Sequence, residues 1–116
     1  MMELWQTEWC PASRRIRQRL TELAVTYVIR QVPVEKGERT ALVEATGSDS
    51  IPALVLSDGT ALLDEEAIRT WLDTHVPEPA GAEAHRAKAE KARRRALKEA
   101  VELAMSTTDS SPEVPR

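Results

Sequence analysis

The apolar positions of this chain change period several times, and each change marks an element. "MELWQT" (2–7) places the β-formers Leu4 and Trp5 in a short run that stops before a polar turn, and it reads as a strand. Beyond it Ile16, Leu20, Leu23 and Ala24 recur at i, i+4, i+7 and i+8, the spacing of one helical face. Arg14, Arg15, Arg17 and Arg19 lie mainly off that stripe. The pattern predicts a helix over 11–24 opened by Pro11, whose missing N–H costs nothing at the first helical position. "VTYVIRQV" (25–32) is β-branched and aromatic, a second strand. "GERTALVEATG" (37–47) reads as a short helix with Gly47 placed as its C-terminal cap. Two apolar runs, "PALVL" and "TALL", flank "SDG" and predict a hairpin turned at Asp58-Gly59. A further helix starts at Asp64, an N-cap candidate, with Glu65 and Glu66 set favourably against the helix dipole. Its buried stripe is Ile68, Trp71, Leu72 and Val76.

The order is β-α-β-α-β-β-α, an α/β domain. The helical crossovers predict parallel pairing of the early strands and the hairpin adds an antiparallel edge, giving a four-stranded mixed sheet. This domain spans residues 1–77. A Pro- and Gly-containing linker follows at 78–82, then an Ala-rich basic helix at 83–105. The segment "STTDSSPEVPR" (106–116) is polar and Ser- and Pro-rich, and is predicted to be disordered.

Charge sharpens this division. Residues 1–82 carry 8 basic and 13 acidic side chains, whereas residues 83–102 carry seven basic and four acidic ones. Two readings of the basic helix stand: a surface for nucleic acid or an acidic partner, or a solvated helix supported by its own Glu–Arg pairs at i, i+3 and i+4. Missing aromatic interleaving and an acidic chain overall favour the second, so no nucleic-acid partner is expected. Leu97, Ala100, Val101 and Ala104 give the C-terminal half an apolar face to bury, on the domain or in a homodimer with a second copy.

Composition excludes more than it assigns. A chain of 116 residues without Phe must build one modest core from Leu, Val, Ile and Ala. No stretch approaches the roughly 20 apolar residues of a membrane span, and no N-terminal apolar run resembles a signal peptide. One cysteine rules out a disulfide framework and an all-cysteine metal site; no metal is expected, and a reducing cytoplasm is the default compartment.

That cysteine, Cys10 in "EWCPASRRIR", stands at the start of the first helix. The thiolate is the nucleophilic form, and a helix N-terminus favours it through its dipole and free N–H groups. Residues 12 and 13 would direct backbone N–H groups toward Cys10, the Ser13 hydroxyl could add another, and Arg14 and Arg15 raise the local positive potential. Against this stands a small buried hydrophobe, which free cysteines often are. Ser13 stands where a C-x-x-C motif has its second sulfur, so no intramolecular disulfide can close, and any exchange must run through a mixed disulfide. Trp9 could shield the thiol, stack on a substrate or be an edge-exposed core residue, and Asp64 and Glu65 could cap a helix or touch a ligand.

"CPAS" with Arg15 after it, "SIPALVLSDG" and "LLDEEAIRTWLD", in that order, resemble the thioredoxin-like glutaredoxins and the N-terminal domain of glutathione S-transferases. The resemblance covers roughly residues 2–77, within the domain of residues 1–77. It implies that Cys10, aided by Ser13, reacts with or contacts glutathione or a similar low-molecular-weight thiol as co-substrate. It also implies that Pro52 is cis, and that Trp9, Pro11, Arg15, Ile51, Pro52, Asp64 and Glu65 line the thiol site, Asp64 and Glu65 at its γ-glutamyl end. Thr7, Ser50 and Glu65 depart from the family's usual residues. The implied activity is that of a monothiol glutathione-dependent oxidoreductase acting on glutathionylated proteins or small disulfides. The alternative is a transferase-related thiol-binding or partner-docking module without catalysis.

Overall fold

The structure, a computed structural model, describes residues 1–110, with side chains described to residue 106. Four strands, β1 (Glu3–Gln6), β2 (Val28–Gln31), β3 (Ala53–Val55) and β4 (Ala61–Leu62), form one mixed sheet in the order β2-β1-β3-β4. Helix α1 (Pro11–Glu22) carries the chain across from β1 to β2, so those two strands are parallel, with Leu4 opposite Ile29. β3 runs antiparallel to β1 with Trp5 opposite Ala53, and the Asp58-Gly59 turn folds β4 back on β3. The predicted α/β order and mixed sheet are those observed.

Alternation along the central strands sorts the core into two layers. Leu4 and Leu54 point to one face, where Ile16, Leu20 and Leu23 from α1 and its end meet Ile68 and Leu72 of α3 (Glu65–His75). Trp5 and Ala53 point to the other, where they pack with Val32, Ile51 and Leu42 of α2 (Thr40–Thr46). Arg19 fastens the first layer at its rim. Its guanidinium reaches Glu22 on its own helix at 2.9 Å, Asp73 of α3 at 2.9 Å and Glu78 beyond it at 2.8 Å.

Several expected boundaries move. α1 stops at Glu22 rather than Ala24, because Ala24 turns left-handed (φ 57°). Its N–H then bonds Thr21 O and that of Val25 bonds Leu20 O, closing the last turn of the helix. Val25 is thereby spent on the helix end, and the second strand begins only at Val28. The helix expected over 37–47 is broken in two, a 3-10 turn at Lys36–Glu38 and then α2, with Arg39 between them. Trp71, read as core, is only partly buried and stacks on His75 with ring centroids 4.5 Å apart.

The described chain divides into two compact units, Met1–Ala82 and a second beginning at Glu83. The second is essentially α4 (Ala82–Ser110), which starts within the predicted linker. It also takes in residues 106–110, expected as tail: no proline interrupts the helix before Pro112, and extending a formed helix is far easier than starting one. The rest of that tail, 111–116, lies outside the described residues.

Candidate functional site

The sheet topology gathers the predicted site residues at one end. β1 ends at Gln6 and the chain runs on through Thr7, Glu8 and Trp9 to Cys10. Because β3 is antiparallel to β1 and Trp5 faces Ala53, Pro52 enters beside the same end of β1. The Ile51–Pro52 peptide is cis, as the resemblance implies. The N-terminus of α3 is joined to this end by an ion pair between Arg15 and Glu65.

Cys10 is the N-cap of α1, with extended backbone (φ −79°, ψ 118°) and Pro11 at the first helical position. Its sulfur accepts the backbone N–H of Ser13 at 3.4 Å, and the residue is half-buried. The thiol thus takes the part of a capping serine or aspartate, and a thiolate there would be met by an orphan donor of the first turn. The contribution of Ser13 to this contact is its amide. Its hydroxyl is fully buried and has no hydrogen-bond partner among the described residues. Trp9, 61% exposed, stands beside the thiol in the open. The Ile51 side chain packs into the α2 layer.

Arg15 and Glu65 hold each other in a two-pronged grip, Nε to Oε2 at 2.5 Å and Nη2 to Oε1 at 2.9 Å. The Arg15 hydrogen bond keeps the Glu65 carboxyl below its ordinary range, and Glu65 in turn raises Arg15. Cys10 lies within electrostatic reach of that guanidinium. Asp64 caps α3 by accepting the Ala67 N–H at 2.8 Å. Both acidic residues assigned to a ligand are therefore engaged inside the protein. From Glu65 a groove of about 390 Å³ continues along α3, lined by Glu66, Arg69, Thr70 and Asp73. Among the described residues no group of three or more His, Cys, Asp or Glu side chains could hold a metal.

Two arginines that hold the site in shape escaped the sequence reading. Arg17 straps the loop before the thiol, donating to Gln6 Oε1, to Thr7 O at 3.4 Å and to Glu8 Oε2 at 3.4 Å. Gln6 passes the contact on to Gln31 at 3.0 Å. Arg39, 4% exposed, sends its guanidinium to three backbone carbonyls: Pro33 at 2.8 Å, Val34 at 3.0 Å and Asp49 at 2.8 Å. It ties the stretch after β2 to the segment that leads into Ile51 and Pro52. Neither has a local signal, since each sits among polar neighbours in a run that reads as solvated surface.

A thiol capping the first helix of a β-α-β-α-β-β-α sheet, with a cis-proline entering β3 at the same end, defines a thioredoxin-like thiol site. The sequence model of the family described as glutathione S-transferase, N-terminal domain, matches residues 9–75, more than half of the chain, and the chain belongs to that family. Solved structures agree. A glutathione S-transferase from Rhodospirillum rubrum F11 is 29% identical with a TM-score of 0.59, over 68% of this chain and 35% of that one. A glutathione S-transferase domain-containing protein from Marinobacter aquaeolei VT8 is 29% identical (TM-score 0.57), over 67% of this chain and 40% of its own. A glutathione transferase family member from Pseudomonas fluorescens Pf-5, solved with bound glutathione, shares the fold at 24% identity and a TM-score of 0.60, over 68% of this chain and 40% of that one. The chain thus spans between a third and two fifths of the length of these relatives. Comparison with curated protein sequences returns no match.

Proposed function

We propose that this protein is a monothiol, glutathione-dependent thiol-disulfide oxidoreductase in which Cys10 is the nucleophile. The Cys10 thiolate attacks the glutathione sulfur of a glutathionylated protein or small mixed disulfide. That bond breaks, the first partner leaves as a thiolate, and Cys10 carries glutathione as a mixed disulfide. A second glutathione thiolate then attacks the glutathione sulfur held on Cys10, releasing oxidised glutathione and restoring the Cys10 thiolate. The observation that carries the reading is Cys10 at the N-cap of α1, its sulfur facing the Ser13 amide, in a chain with no second cysteine to resolve a disulfide internally. The glutathione bound to the Pseudomonas fluorescens relative supports that thiol as co-substrate. A free catalytic thiol suits a reducing compartment such as the cytoplasm, and no helix among the described residues is long and apolar enough to cross a membrane.

One observation favours a second reading, a docking module without catalysis: Arg15 and Glu65 satisfy each other, so this pair is already occupied within the chain. Mass spectrometry after exposure to glutathione disulfide, followed by turnover of a glutathionylated peptide, separates the two. The oxidoreductase reading expects one glutathionyl adduct, absent in Cys10→Ser, and turnover that survives Ser13→Ala because the donor to sulfur is an amide. An unreactive Cys10, or an adduct that a second glutathione cannot release, selects the docking module.

A further inference from the structure

Helix α4 presents large apolar side chains to water and divides its charges unevenly between its two halves. Every residue from 91 to 102 is exposed, Leu97 to 67% and Val101 to 49%, and Met105 one turn on is 64% exposed. Leu97 and Val101, at i and i+4, share one face and line a shallow groove of about 410 Å³ with Arg94, Lys98 and Glu102. Exposed apolar side chains clustered in this way mark a surface made to be covered. Residues 82–95 hold six basic and two acidic side chains, whereas residues 96–106 hold one basic and two acidic ones. The first turn carries Glu83, the sign a helix dipole favours there, so the imbalance lies between the two halves of α4 and not at its N-terminal end.

We infer that α4 is a self-association helix, and that it pairs antiparallel with α4 of a second copy through Leu97 and Val101. Antiparallel pairing lays each basic half along the partner's more acidic half and the negative end of its dipole. Parallel pairing would set basic half on basic half. The small side chains Ala92, Ala96 and Ala100 beside the apolar pair let two helices approach closely, and the two-fold arrangement closes at a dimer instead of growing.

The test is sedimentation of the full chain with reductant present, over a concentration series and at low and high salt. A monomer–dimer equilibrium that weakens as salt rises is expected. The double variant Leu97→Glu, Val101→Glu should weaken the dimer by about tenfold or more, as should Arg93→Glu, Arg94→Glu, Arg95→Glu, with circular dichroism confirming that helix is retained. A chain that stays monomeric throughout, a dimer indifferent to the Leu97 and Val101 changes, or one tightened by salt or by the arginine reversal would overturn the proposal. Because the salt series uses the unaltered chain, a variant that lost helix would not leave the question open.

Discussion

The two units of this protein are held together by different physics. In Met1–Ala82 the core joins residues far apart in sequence: Leu4 from β1, Leu20 from α1, Leu54 from β3, Leu72 from α3. None of those elements could bury its apolar face alone, so each depends on all the others. α4 is supported along its own length, by alanines of high helix propensity and by short-range pairs such as Glu90 with Arg94 at 3.2 Å. Damage to the first unit should therefore be cooperative, and damage to the second should be local and small. The thiol site sits wholly in the cooperative unit, which explains how a single thiol can be held against a backbone amide.

The sharpest way to break this contrast is to remove the same side chain in each unit. Leu54→Ala, at a fully buried position between β1 and β4, should cost about 3 kcal/mol in urea denaturation. Leu97→Ala on α4 should shift the transition of a dilute sample by less than about 0.5 kcal/mol. Comparable costs would mean that α4 belongs to the same cooperative core.

Arg39 comes next, because it is the one buried cation of the first unit whose partners are all backbone carbonyls. Arg39→Ala should cost about 2 kcal/mol, since Pro33, Val34 and Asp49 lose a charged donor together. Arg39→Lys should recover only part of that, a point charge being unable to serve three carbonyls in a fork. Because Asp49 precedes the Ile51–Pro52 segment, both variants should weaken adduct formation with glutathione more than they slow alkylation of Cys10 by a small reagent. Equal effects on the two reactions would reduce Arg39 to a purely structural role.

A smaller effect separates the Arg15–Glu65 clasp from ordinary surface charge. Glu65 is held below its unfolded value by Arg15, so the folded state binds fewer protons than the unfolded state in the acid range. The clasp therefore contributes fully above about pH 4.3, the ordinary glutamate value, and its contribution is lost as pH falls through the depressed value of the folded state. Glu65→Gln should be less stable than the parent at neutral pH, and the two denaturation curves should converge on acidification. A gap that persists in acid would show that the side chain, and not its charge, matters.

The sequence was legible where the physics is periodic or local. The stripes of α1 and α3, the hairpin at Asp58-Gly59, the Asp64 cap and the place of Cys10 at a helix start all follow from spacing and from residue chemistry. Arg39 and Arg17 were not legible, because their partners are backbone or distant side chains that no local pattern records. The Arg15–Glu65 pair spans 50 positions, so no local pattern in the sequence records it. The long helix was misjudged at its end for a related reason: Ser106 to Ser110 are poor helix formers taken singly, and only the helix already built before them carries them along.

The mildest prediction concerns the residue that hid a helix end. Gly47 announces the end of α2, with φ at 78°, as a glycine there should. α1 ends with the same left-handed step, yet Ala24 makes it, at φ 57°, where a Cβ crowds the following carbonyl. The helix end tolerates this because Val25 N–H reaches Leu20 O at 3.0 Å and the Val25 side chain packs on the core that contains Leu20. Ala24→Gly removes the crowding, which is of the order of 1 kcal/mol, but gives the unfolded chain more freedom to lose. The balance should be a gain of about 0.5 kcal/mol, read as a small rise in the denaturation midpoint with an unchanged slope. Ala24→Val, which adds a β-branch at the same left-handed position, should move the midpoint down by more than glycine moves it up. If valine were tolerated as well as glycine, the end of α1 would be held by the Val25 contact alone and the left-handed backbone would carry no cost.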